Sequence, residues 1–308
     1  MSEQDLPFSR RKTPGSVLER GAILSARYEI LDYVGEGGMG LVYKAHDRAL
    51  DEVVAIKLLL PHLLDSPLMR QRFLSEIKLA RRVTHRNVCR IHDYGEDGTL
   101  GYISMQFVDG AELKALIAQP GGLSVDEAYE IAIQLADGLQ AIHDEGIVHR
   151  DFKSANVMVD GRGHPRLMDF GIAKLWDVER GAGLTMEGHV TGTPDYMSPE
   201  QASGEPLDPR SDLYSMGIVL FELFTGARPF SADSPAVMMY KQVYEEPPLD
   251  GPVAGAIPAA VKPIIRGALA KRRKGRGVRA RLARAHRRRT SLRRLRDGGP
   301  HRAGRARR

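Results

Sequence analysis

The stretch HRDFKSAN, His149 to Asn156, constrains this chain more than any other. Asp169-Phe170-Gly171 follows it, with Asp169 eighteen residues beyond Asp151. Two acids and an amide at this spacing suit the placing of a hydroxyl and a divalent metal beside a phosphoryl group. Asp151 can accept or orient a hydroxyl proton, and Lys153 can neutralise charge on the group in transit. Asn156 and Asp169 offer hard oxygen ligands, which magnesium prefers. Phosphoryl transfer needs mainly positioning and charge neutralisation, and this set supplies both.

With the further motifs below, in this order, the chain resembles the eukaryotic-type Ser/Thr protein kinases over residues 28 to 276, and Ser198-Pro199-Glu200-Gln201 is similar to bacterial members. The resemblance implies an α+β, bilobal protein-kinase-like fold. Residues 1–27 are then a flexible leader, 28–108 a β-rich N-lobe, 109–276 a mainly helical C-lobe and 277–308 an Arg-rich tail. It implies a Ser/Thr protein kinase that moves the γ-phosphate of ATP to protein hydroxyls with Mg2+, or Mn2+ in its place. Protein substrates follow as partners, with a homodimer as a route to autophosphorylation.

YEILDYVGEGGMGLVYKAHD from Tyr28 reads as strand, glycine turn, strand. Gly35, Gly37, Gly38 and Gly40 let backbone amides approach phosphates. A dinucleotide-binding turn is the rival reading, but it expects a helix directly after the glycines. Leu41 to Ala45 carries no N-cap signal and favours a strand in part. Val53 to Lys57 is a further strand, and a lysine ending it either snorkels to solvent or is held inside. Glu76, nineteen residues on, sits in a helical stretch, where an ordinary exposed helix acid is the alternative reading. The resemblance pairs Glu76 with Lys57 and sets Lys57 against the α- and β-phosphates. It assigns the nucleotide to Gly35, Glu36, Gly37, Gly38, Met39, Gly40, Val42, Ala55 and Lys57, then to Met105 at the gatekeeper position, the hinge Gln106, Phe107 and Val108, and Met158. Val88 to Tyr94 and Tyr102 to Phe107 read as strands joined by a turn at Gly95 to Gly98.

Ser124 with Glu127 forms a capping box. Val125, Ala128, Ile131, Ala132, Leu135, Leu139 and Ile142 then recur at helical spacing, which predicts a buried helix leading into the catalytic loop. Cys89 reads as a small buried hydrophobe in a strand. His149 is expected to tie the loop to the DFG backbone. Residues 172–197 resemble an activation loop, with Thr185 and Thr191 as candidate phosphosites and Arg150 as the group that pairs with phosphate. Thr193 is assigned to orienting Asp151 and Lys153. The run from Ser211 to Gly226 reads as a buried helix, and Asp212 within it is assigned to anchoring the catalytic-loop backbone. Ser234 to Glu245 and Ile257 to Lys271 read as two further helices. Arg276 is assigned to pairing with Glu200.

The net charge of +6 conceals two parts. Residues 271–308 hold 18 Lys or Arg and one acid, giving +17; the other 270 residues hold 27 basic and 38 acidic side chains, giving −11. From Arg272 the composition shifts to Arg, Ala and Gly, with too few leucines for an amphipathic closing helix. Three readings stay open for this tail: a solvated extension, a surface binding nucleic acid or other anionic surfaces through phosphate contacts, or the product of a shifted reading frame. The N-terminal residues lack an apolar signal region, and no run approaches the about 18 apolar residues of a membrane span. A cytoplasmic location is the expectation.

Overall fold

The computed structural model describes residues 18–37, 40–60, 67–170, 194–278 and 282. Gly38, Met39, Gly171, Thr185, Thr191 and Thr193 lie outside them. The chain divides into two compact units, Met1–Pro67 with Ile91–Phe107, and Leu68–Arg90 with Val108–Arg308.

The first unit is one antiparallel sheet of β1 (Ile23–Leu24), β2 (Tyr28–Gly37), β3 (Gly40–Asp47), β4 (Glu52–Leu59), β5 (Ile91–Asp97) and β6 (Leu100–Gln106), in the order β1-β2-β3-β4-β6-β5. β4 lies inside the sheet and is buried along Val54 to Leu59, a run that is apolar except for Lys57. β3 alternates in its second half, burying Tyr43, Ala45 and Asp47. The core gathers Leu24, Tyr28, Ile30, Tyr43, Val54, Ile56, Leu58 and Tyr102.

Two expectations change here. The sheet begins before Tyr28: Leu24, expected in a flexible leader, pairs with Tyr28 and enters the core. Arg27 Nε donates to both Asp47 oxygens at 2.9 and 3.0 Å. Asp47 is 1% exposed, and this hydrogen bonding from Arg27 holds its carboxyl below the ordinary range against the cost of burial. An isolated polar leader read by composition hides both contacts. The β5–β6 turn also shifts. Gly95 and Glu96 stay in register with Tyr102 and Gly101, and the chain reverses at Gly98, where φ is +58°, and Thr99.

The second unit contains α1 (Pro67–Ala80), whose first residue falls in the other unit, a small sheet of β7 (Gly110–Glu112), β8 (Val157–Asp160) and β9 (Pro165–Leu167) in that order, and the helices α2 (Leu113–Ile117), α3 (Val125–Asp144), α4 (Pro199–Ala202), α5 (Pro209–Thr225), α6 (Pro235–Tyr244) and α7 (Lys262–Ala268). The capping box of α3 is closed: Glu127 N donates to Ser124 Oγ at 3.3 Å and Ser124 N to Glu127 Oε2 at 2.9 Å. Its stripe of Ala128, Ile131, Ala132, Leu135, Leu139 and Ile142 is buried. α5 is buried on nearly every side and ends at Gly226, where φ is +72°. A Cβ at Gly217 would lie 2.9 Å from both Ala268 Cβ and Leu269 Cδ2. Gly217→Ala is therefore expected to lower stability by about 1–3 kcal/mol through overpacking of α5 on the α7 region, read as a drop in the urea midpoint at unchanged m-value.

Three local expectations are corrected. The helix expected over Ile257–Lys271 is only α7. Ile257 is extended before Pro258, which removes an N–H and disfavours helical backbone at the residue before it, while Pro263 is tolerated in the first turn. Cys89 is buried, but in the link before β5 and not in a strand; its N–H bonds Leu167 O at 2.9 Å. The segment from Arg272 does not lose its packing at once. Arg273 Nη2 and Nη1 reach Glu205 and Asp208 at 2.9 and 3.1 Å, and Val278 and Leu282 are buried.

Candidate active site

In the second unit the catalytic loop is hung from one buried carboxylate. Asp212, in the first turn of α5, accepts His149 N at 2.7 Å and Arg150 N at 2.8 Å, and sits 2.7 Å from His143 Nε2 at the end of α3. A buried acid needs such partners, and here they fix where the loop leaves α3. Gln201 of α4 adds a bond from Nε2 to Arg150 O at 2.7 Å. Arg150 takes φ +68°, a left-handed turn that redirects the chain immediately before Asp151.

Beyond that turn the reacting groups converge. Asp151 Oδ2 accepts Lys153 Nζ at 2.8 Å and Asn156 Nδ2 at 3.1 Å, and Asn156 Nδ2 also donates to Asp151 O at 2.9 Å. The carboxylate is thereby aimed, and an ammonium stands beside it. With the Asn156 nitrogen committed, its carboxamide oxygen is the atom suited to a cation. Met168 N donates to Asn156 O at 2.8 Å, which brings Asp169, the next residue, to the same place. Asp169 is itself left-handed, with φ +53°. Among the described residues no three His, Cys, Asp or Glu side chains form a metal-holding group. A sparse oxygen set still fits magnesium, which keeps several waters and leans on one or two carboxylates plus the substrate's phosphates.

His149 holds the loop differently from the expectation. Its ring packs edge-on against Phe152 and Phe170, at 5.6 and 6.4 Å between centroids. Both ring nitrogens are buried without a hydrogen-bond partner, and burial holds the imidazole below its ordinary pKa. The tie to the DFG stretch is an aromatic contact by a neutral ring. Arg150 Nε and Nη1 are likewise buried without a hydrogen-bond partner. Burial raises the Glu76 carboxyl above its ordinary pKa, opposed by the charge of Arg150.

In the first unit four of the predicted nucleotide residues share one face. Val42 and Ile103 lie opposite Lys57 on the flanking strands, and Met105 lies opposite Ala55. Directly paired residues point the same way, as do residues two apart, so Val42, Ala55, Lys57 and Met105 line one side of the sheet. Lys57 is 2% exposed. Gly35 pairs with Val42, Glu36 with Leu41 and Gly37 with Gly40. At Gly40, with φ +148°, a Cβ would fall 1.7 Å from Leu58 O, so only glycine fits. Gln106 ends β6, and Lys44 Nζ lies 4.7 Å from the centre of the Phe107 ring. Val108 and Met158, on β8, belong to the second unit.

Glu200 and Arg276 meet at 2.8 Å. Other partners are not singled out by the sequence motifs. Ser154 Oγ lies 3.0 Å from Tyr196 OH, which donates to Glu222 Oε2 at 2.9 Å. Burial, then Glu222, pushes the Tyr196 phenol well above its usual range. Gln201 had a readable signal, since Ser198-x-x-Gln201 is a capping box and the structure closes it, with Ser198 N donating to Gln201 Oε1 at 3.0 Å and Gln201 N to Ser198 Oγ at 3.3 Å. Tyr196 and Glu222 carried none, because each looks like an ordinary residue of its own segment.

Among known proteins, the chain is 41% identical over 258 residues to the serine/threonine-protein kinase PksC of Streptomyces coelicolor, covering 81% of this chain and 46% of that one. It is 40% identical over 244 residues to the serine/threonine-protein kinase pkn3 of Myxococcus xanthus, covering 77% and 44%. The chain thus spans under half the length of these relatives. Among solved structures it is similar to the kinase domain of Mycobacterium tuberculosis PknI, with TM-score 0.70 and 26% identity over 89% of this chain and 100% of that one. The protein kinase domain family matches residues 28–284, so the chain belongs to that family, with a β-sheet N-lobe and a helical C-lobe.

Proposed function

We propose that the chain is a Ser/Thr protein kinase that transfers the γ-phosphoryl group of ATP to protein hydroxyls. The observation that carries this is Asp151, aimed by Lys153 and Asn156 in a loop hung from Asp212. Asp151 takes or orients the acceptor hydroxyl proton, and Lys153 neutralises charge on the transferring group. Lys57, braced by Glu76, holds the α- and β-phosphates, and the glycine hairpin with Val42, Ala55, Met105, Gln106 to Val108 and Met158 encloses the nucleotide. Asn156 and Asp169 hold Mg2+, which supplies charge neutralisation between the phosphates. Thr193 orients Asp151 and Lys153. Thr185 and Thr191 receive phosphate from a second copy of the chain, and Arg150, with buried unpaired guanidinium nitrogens, is the counter-charge. The N-lobe runs over residues 28–108 and the C-lobe over 109–276, and the role is intracellular signalling in the cytoplasm.

The test is transfer from labelled ATP with magnesium, comparing the native chain with Lys57→Met and mapping products by mass spectrometry. Label on Thr185 or Thr191 that the substitution removes supports the reading. A folded native chain that labels neither itself nor myelin basic protein would sink it.

A further inference from the structure

The turn Pro194–Tyr196, directly beyond the undescribed residues 171–193, is fastened by side chains from four separate segments. Ser215 Oγ donates to Tyr196 O at 2.7 Å, Arg228 pairs with Asp195, and Tyr196 is bonded to Ser154 of the catalytic loop. The fourth contact is Gln242 of α6, which is completely buried. Its Nε2 donates to Pro194 O at 3.2 Å and Asp195 O at 2.8 Å, while its Oε1 accepts Tyr214 OH at 2.8 Å. Tyr214 OH in turn accepts Lys271 Nζ at 3.1 Å, and Lys271 also donates to Lys241 O and Gln242 O at 3.2 and 2.9 Å.

The direction of this chain of bonds is determined at both ends. An ammonium only donates and a carbonyl only accepts. With Lys271 donating to it, Tyr214 OH has two acceptors, Gln242 Oε1 at 2.8 Å and the Gln242 main-chain oxygen at 3.2 Å, and the carboxamide turns its NH2 group to the two carbonyls of the turn. The carboxamide cannot flip without setting its oxygen against two carbonyls. The turn carbonyls thus fix which way Gln242 faces, and Tyr214, itself bonded by Lys271, backs the carboxamide from the other side. The bond of Tyr196 to Ser154, three residues from Asp151, ties that turn to the catalytic loop.

We infer that Gln242, backed by Tyr214 and Lys271, is a positioning residue for the acceptor polypeptide. The inference rests on the kinase reading above. Gln242 touches neither nucleotide nor reacting atoms; it sets the turn along which the acceptor main chain lies. Its loss acts on acceptor binding and leaves the nucleotide site alone.

The test uses the full chain with Mg·ATP and myelin basic protein. Gln242→Glu keeps the acceptor for Tyr214 but turns a carboxylate without donors toward two carbonyls. It is expected to raise the KM for the protein acceptor by about tenfold, with the KM for ATP unchanged within about twofold. Tyr214→Phe removes the backing hydroxyl without touching the turn and is expected to raise the acceptor KM by about two- to fivefold. Unchanged acceptor KM in folded Gln242→Glu overturns the inference. So does a joint change of kcat and both KM values with a fallen melting temperature, the mark of a merely structural role. If Gln242→Glu does not fold, Tyr214→Phe decides, and an acceptor KM equal to the native one overturns the inference. No transfer by the native chain overturns the kinase reading and this inference with it; transfer with unaltered KM values in the variants overturns this inference alone.

Discussion

Asp151→Asn is expected to slow phosphoryl transfer by about 10²–10⁴-fold, the contribution of a positioned general base, while the protein stays folded. The substitution is isosteric. Lys153 Nζ and Asn156 Nδ2 both donate to Asp151 Oδ2, and an asparagine oxygen there can still accept them. What disappears is the charge proposed to take or orient the acceptor proton. The KM for ATP should move little, since the contacts assigned to the phosphates come from Lys57 and the glycine hairpin. Single-turnover transfer from labelled ATP measures the loss, and a melting curve superposable on the native one excludes unfolding. Activity within a few-fold of native would remove the base role from Asp151.

Arg276→Ala is expected to destabilise the second unit by roughly 3–5 kcal/mol, the cost of leaving a buried charge without its partner. The Arg276 side chain is 0% exposed and that of Glu200 2%. Arg276 bonds Glu200 Oε1 at 2.8 Å, Ala270 O at 2.8 Å, Lys271 O at 3.0 Å and Arg210 O at 3.2 Å. In its absence Glu200 keeps Ser211 Oγ at 2.7 Å and Arg273 Nε at 3.7 Å, and its Oε2 has no hydrogen-bond partner even in the native chain. The melting temperature should fall on the order of 10 °C. Adding Glu200→Gln should recover part of the loss, because the uncompensated charge goes with it. A fall of less than about 2 °C for Arg276→Ala would show that Arg273 suffices.

The same pair implies a pH dependence. Burial opposes ionisation of Glu200, but the hydrogen bonds from Arg276 and Ser211 outweigh it and hold the carboxyl below its ordinary 4.5. The folded carboxyl binds its proton less readily than the unfolded one. Its stabilisation is therefore complete above pH 4.5 and is lost as pH falls through the lower, folded value. Arg276→Ala should flatten that acid limb.

Much of the site is legible in local spacing. Asp151, Lys153 and Asn156 fall in one short loop, so their convergence needs no long-range packing. Val42, Ala55, Lys57 and Met105 share a face because strand alternation and register place them there. The closing of the Ser124–Glu127 box is equally local. The basic segment misleads because composition counts charges without their partners: Arg273 and Arg276 are absorbed by Glu200, Glu205 and Asp208, more than sixty residues earlier. The leader misleads likewise, since Leu24 and Arg27 read as polar-segment residues until Tyr28 and Asp47 stand beside them.

The sequence by itself determined which residues are candidates for the chemistry, from motifs in a fixed order, and which faces of the strands and helices turn inward, from intervals of two to four residues. Only the tertiary structure decided what holds them. Asp212 receives the loop from 62 and 63 residues away, Tyr196 meets Ser154 across 42, and Gln242 reaches Pro194 across 48. A buried carboxylate or carboxamide takes whatever donors and acceptors packing brings within about 3 Å, and no local pattern records those partners.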